Sequence, residues 1–207
     1  GIICHHVARV PSNWRMTDSL PNFLAKHHIP GLQGIDTREL VRKLRQYGTL
    51  RGIMTDNVTD IKDKLEQLKQ TSPTQNIISK VSTKESYANP GTKRTVVVLD
   101  FGMKNSILRE LNKRNCNAIV LPYNASISEI MAFNPDGILL SNGPGDPLEM
   151  TTIAETVAEL EKHVPIFGIC MGHQIFALAN GAKTYKMKFG HRGFNHPVRN
   201  LKTGKIA

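Results

Sequence analysis

No apolar run in this 207-residue sequence approaches the ~20 residues that cross a bilayer, and no secretory leader pattern opens it. Cysteine is scarce. Cys4, Cys116 and Cys170 are three in number and scattered, which is no disulfide framework, so a reducing, cytoplasmic setting is expected. Tryptophan occurs once and aromatics make up only 6% of the chain. They do not interleave with lysine and arginine as stacking platforms, so the formal net charge of +10 is not read as a nucleic-acid surface. The densest basic patch, Arg38, Arg42, Lys43 and Arg45, falls on the polar side of an amphipathic pattern. Such a patch reads as a solvated face or as a surface for an acidic partner. Internal repeats are absent. Gly1 is an unusual first residue and suggests a processed chain or a piece of a longer one.

What is present is ordinary globular composition, 40% hydrophobic and 21% charged. Two textures divide it. Residues 1–80 mix short strands and helices and read as a partial N-terminal domain. Asp36-Thr37-Arg38-Glu39 has the form of a capping box, with Ile35 and Leu40 as its staple. The helix it opens should bury Leu40, Val41, Leu44 and Tyr47 and stop at Gly48. A second helix is expected from Thr59, with Ile61, Leu65 and Leu68 on one face. Residues 81–93, rich in Ser, Lys, Asn, Pro and Gly, read as an exposed linker.

From 94 to 207 the pattern is α/β. Strands are expected at 95–99, 118–121, 137–141 and 165–169, with helices at 105–114, 126–133, 152–163 and 171–180 between or after them. The continuous β-branched run at 95–99 marks a strand covered on both faces. The implied fold is a doubly wound, mostly parallel sheet, which binds ligands at the carboxyl ends of its strands.

Two glycine-rich features fall at those ends. Phe167-Gly168-Ile169-Cys170-Met171-Gly172-His173-Gln174 places a cysteine on a strand–turn–helix corner, the elbow form known for serine nucleophiles. The helix N-terminus beyond it favours a thiolate. A buried core cysteine ahead of an ordinary helix is the competing reading. Ser141-Asn142-Gly143-Pro144-Gly145-Asp146-Pro147 is the other feature. It lacks the third glycine of a dinucleotide loop and any Gly-Lys-Ser/Thr. A tight structural turn is one alternative. The other is an exposed Gly143 N–H that, with the N–H of Met171, forms an oxyanion hole.

Together these motifs resemble the class I, triad-type glutamine amidotransferases. Gly34-Ile35-Asp36-Thr37-Arg38-Glu39-Leu40, Asp100-Phe101-Gly102-Met103-Lys104 and residues 188–198 are similar to the small, glutaminase chain family of carbamoyl-phosphate synthases. The resemblance spans nearly the whole chain. It implies Cys170 as nucleophile toward L-glutamine and Gly143 and Met171 as oxyanion donors. Gly145 and Gln174, with Gly143 and Met171, then line the glutamine pocket. It also implies a partner, the large carbamoyl-phosphate synthase chain, which receives ammonia and uses ATP, magnesium and bicarbonate. This chain itself is expected to hold no cofactor and no metal, and to bind neither nucleic acid nor membrane.

The departures are equally specific. The family's general base lies in a His-Pro-Glu segment, and none occurs here; His196-Pro197 is followed by Val198, so His196 is not given that role. The family's second glutamine-binding stretch and an N-terminal serine are also missing. The sequence therefore reads as an internal piece cut at both ends, inactive alone. His173 reads as structural support, and Cys170-x-x-His173 lacks a second ligand pair for zinc. A non-catalytic docking domain and a cysteine-dependent α/β hydrolase are the alternatives.

Overall fold

A computed structural model describes residues 1–72, 75–190 and 197–206. The chain divides into two compact units, Gly1–Ser72 with Lys186–Ala207, and Pro73–Tyr185.

In the first unit, β1 (Ile2–Ile3) pairs in parallel with β2 (Gly31–Leu32), and α1 (Leu20–Lys26) lies between them in sequence. Two helices follow, α2 (Thr37–Tyr47) and α3 (Ile61–Gln70). Asp36 caps α2 by accepting the Glu39 N–H at 2.9 Å, so the sequence signal for this helix start is sound. The expected burial of its apolar face is corrected: Val41 is 53% and Tyr47 64% exposed, while Leu40 and Leu44 are half-buried. Periodicity shows that a helix has an apolar side; it does not show that anything covers it.

The second unit carries the core. After α4 (Ile78–Val81) comes a five-stranded sheet built from β3 (Tyr87–Asn89), β4 (Thr95–Asp100), β5 (Asn117–Pro122), β6 (Gly137–Leu140) and β7 (Ile166–Gly168). Its order is β3-β5-β4-β6-β7; β3 runs antiparallel to β5, and the other four are mutually parallel. The doubly wound, mostly parallel reading therefore holds. The linker reading of 81–93 does not. Residues 87–89 form an edge strand registered Tyr87↔Val120 to Asn89↔Ala118, and Ile78 and Ser82 are buried. The boundary accordingly falls near 73 rather than 80, and Lys186–Ala207 groups with the first unit.

Alternation along the strands distributes side chains to two faces. Val97, Leu99, Ile138 and Leu140 pack with Ile130, Val157, Leu160, Met171 and Ile175, residues drawn from α6 (Ile127–Met131), α7 (Thr151–Leu160) and α8 (Met171–Ala179). On the opposite face Val98, Val120 and Leu139 pack with Leu108 of α5 (Asn105–Lys113). That two-sided cover is why β4 to β6 read as unbroken apolar runs. The strand expected at 165–169 is β7, which lies at the margin of the sheet. Its Phe167 is 66% exposed.

Candidate active site

The chain turns from β4 to β5 on one side and to β6 on the other, so the crevice of this sheet lies outside the carboxyl ends of β4 and β6. The 100–104 segment and the 141–147 loop emerge there, and the 168–172 elbow follows β7, the strand beside β6.

Cys170 sits between β7 and α8 at φ +54°, ψ −108°, a positive φ that a non-glycine residue takes only where its surroundings constrain it. The constraint is visible. Ile169 N–H donates to Leu140 O at 2.9 Å, and Gly172 N–H donates to Ser141 O at 3.1 Å and Ile169 O at 3.0 Å. Close packing requires both flanking glycines. A Cβ on Gly168 would lie 2.6 Å from the Gly172 carbonyl, and one on Gly172 would lie 2.2 Å from Leu140 O. The thiol-bearing residue is exposed, so the core-cysteine reading fails. Among the described residues the Cys170 thiol has no hydrogen-bond partner.

Met171 begins α8 with its side chain buried in the core. Its N–H is one of the orphan donors of a helix start and has no acceptor among the described residues. Gly143 N–H is likewise without an acceptor among them. Gly143 is half-buried and packed so that a Cβ would stand 2.3 Å from Phe101 O. Gly145 takes φ +101° and is exposed. Gln174, also exposed, lies in the first turn of α8, its N–H donating to Cys170 O at 3.0 Å. His173 is exposed on the same turn. The topology thus brings the two glycine-rich loops to adjacent strand ends and leaves two main-chain donors free there. His191, Gly193, Phe194 and His196 lie outside the described residues.

Three polar residues that composition and spacing did not single out build the frame. Asp100, buried at the end of β4, accepts N–H groups from Thr83 (2.7 Å), Gly102 (2.9 Å) and Met103 (2.7 Å). The Asn142 side chain accepts Lys104 N–H at 3.1 Å and donates to Gly102 O at 3.1 Å. Ser141, fully buried, accepts Phe101 N–H at 2.9 Å and donates to Asn142 O at 2.9 Å. The loop after β6 is therefore fastened to the loop after β4. Each stands at a strand's carboxyl end within a quoted motif, but no sequence signal gave their bonds.

A sharp strand–turn–helix elbow with an exposed sulfur on a doubly wound sheet is the arrangement that cysteine-nucleophile acyl-transfer enzymes use. The family model "Glutamine amidotransferase class-I" matches residues 97–207, and the chain belongs to that family. A second model, "Carbamoyl-phosphate synthase small chain, CPSase domain", matches residues 1–54. Among curated proteins, the chain is 54% identical over 206 residues to the carbamoyl phosphate synthase pyrimidine-specific small chain of Lactiplantibacillus plantarum. It is 54% identical over 207 residues to a carbamoyl phosphate synthase small chain of Bacillus cereus, and 49% over 206 residues to one of Lactococcus lactis. Each alignment takes in 100% of this chain but 56%, 56% and 58% of the relative, so the chain spans a little over half their length. Among the described residues, no helix is long and apolar enough to cross a membrane.

Proposed function

We propose that this chain is the glutamine-hydrolysing part of a carbamoyl-phosphate synthase small chain. The observation that carries the reading is the exposed Cys170 at a strained backbone angle, with the N–H groups of Gly143 and Met171, on loops at neighbouring strand ends, unpartnered among the described residues.

The chemistry follows from that arrangement. The Cys170 sulfur adds to the side-chain carboxamide carbon of L-glutamine, and the carbonyl π electrons move to oxygen. Gly143 and Met171 N–H groups stabilise that oxyanion, where a preorganised donor is worth about 10²–10³-fold in rate. Collapse expels ammonia, the nitrogen taking the thiol proton through a base supplied from outside these residues. The resulting thioester is cleaved by water, giving glutamate and the free thiol. Gly145 and Gln174 line the pocket. Ammonia passes to the large synthetase chain, whose ATP and magnesium drive its capture with bicarbonate as carbamoyl phosphate. This part of the enzyme holds no cofactor of its own. The cytosol, where a free nucleophilic thiol stays reduced, is its place.

A labelling competition tests the assignment. In the full-length chain carrying this sequence, a glutamine-shaped diazoketone should modify Cys170, and excess L-glutamine should protect it. Labelling by a simple aryl ester, with none by the glutamine analogue, would make the chain a cysteine hydrolase instead. A further expectation concerns the 207 residues alone. With no proton acceptor bonded to Cys170 among the described residues, they should release ammonia from glutamine at least about 10²-fold more slowly than the full-length chain. An ammonia-coupled assay checks this, and equal turnover would place the base within these residues.

A further inference from the structure

We propose that Ser141 is a positioning residue: its hydroxyl latches the 142–143 peptide so that the Gly143 N–H faces the reacting carbonyl oxygen. The inference rests on the oxyanion-hole reading above and adds the device that makes one half of the hole permanent.

A trans peptide points its C=O and N–H in opposite directions, and every described peptide here is trans. Whatever grips Asn142 O therefore also aims Gly143 N–H. The grip is the Ser141 hydroxyl, which donates to Asn142 O at 2.9 Å. Its proton is committed to that direction because the same oxygen accepts Phe101 N–H at 2.9 Å. Ser141 is fully buried, so the carbonyl is held toward the protein interior and the N–H is turned the other way, where it meets no acceptor among the described residues.

A latch is needed because the loop does not choose this orientation by itself. With glycine on its far side, a turn peptide flips between two orientations at little steric cost. The close approach of Gly143 to Phe101 O fixes where the residue sits, not which way its peptide faces. The Asn142 side chain, bonded to Lys104 N–H and Gly102 O, anchors the loop at another point and leaves the 142–143 peptide free to turn. Asp100 completes the chain of support by accepting the N–H groups of Gly102 and Met103, just after Phe101, and of Thr83.

The test compares Ser141→Ala with wild type in the full-length chain. The expected result is a fall in kcat for glutamine hydrolysis of about 10-fold or more, with KM changed less than about threefold. Alkylation of Cys170 by iodoacetamide, a displacement at saturated carbon that builds no oxyanion, should keep its wild-type rate. Unchanged kcat overturns the latch while leaving Cys170 its role. An alkylation rate that falls in step with kcat also overturns it, since the elbow itself is then disturbed. Ser141→Cys, close in shape but a weak donor, gives a second measurement if the alanine variant does not fold. A partial loss of kcat is expected, and wild-type kcat again overturns the proposal. Hydrolysis that survives Cys170→Ala would instead remove the reading on which the latch depends.

Discussion

Cys170→Ala in the full-length chain should abolish glutamine hydrolysis, lowering kcat by about 10⁴-fold or more. The size of the effect follows from the role. Removing an oxyanion donor or a pocket contact leaves the covalent route open, whereas removing the sulfur closes it. Glutamine binding should survive, because Gly145, Gln174 and the two main-chain donors remain. A KM or dissociation constant within a few-fold of wild type, together with lost turnover, is the expected signature. Cys170→Ser should be almost as inactive, since a hydroxyl needs a stronger base than a thiol does. Ammonia release measured with either variant checks the claim. Residual turnover above about one part in 10³ would contradict it.

The second large effect is on folding. Gly172→Ala should lower stability by about 3 kcal/mol or more, because overpacking here meets main chain rather than a movable side chain. An added Cβ would stand 2.2 Å from Leu140 O, 2.5 Å from Leu140 Cβ and 2.6 Å from Leu140 C. To escape, α8 must withdraw from the end of β6. That movement breaks the 3.1 Å bond from Gly172 N–H to Ser141 O. Gly52→Ala is the control. Nothing lies within 4 Å of its Cβ position, and a change within about 0.5 kcal/mol is expected. Thermal melts of the two variants in the full-length chain provide the comparison. Similar midpoints would mean that the elbow is not close-packed.

Much of this could be foreseen, for reasons that differ by element. The sheet from β4 to β6 was legible because strands covered on both sides must be apolar throughout, and Val96 to Leu99 and Ile138 to Leu140 are. Cys170 and its glycines were legible because sharp backbone bends demand particular residue types. β3 was not legible. It joins the sheet through main-chain pairing, and Tyr-Ala-Asn amid polar residues carries no pattern of that. The exposed faces of α2 and β7 were misjudged for a related reason: amphipathicity and apolar runs report composition, while cover is a tertiary fact. Asp100, Ser141 and Asn142 stand in the quoted motifs, but their bonds were not legible, because hydrogen-bond networks between distant loops impose no sequence period.

The bent backbone at Cys170 also has a meaning for the sheet. Its unfavourable angle costs of order 1–3 kcal/mol and is maintained by bonds reaching β6 from a segment about thirty residues later in the chain. Unless β7 is docked on β6, nothing obliges the residue to adopt that angle. The reactive geometry therefore depends on the pairing of β7 with β6, and without that pairing Cys170 is a relaxed, ordinary cysteine. The strained turn and the β6–β7 pairing stand or fall together.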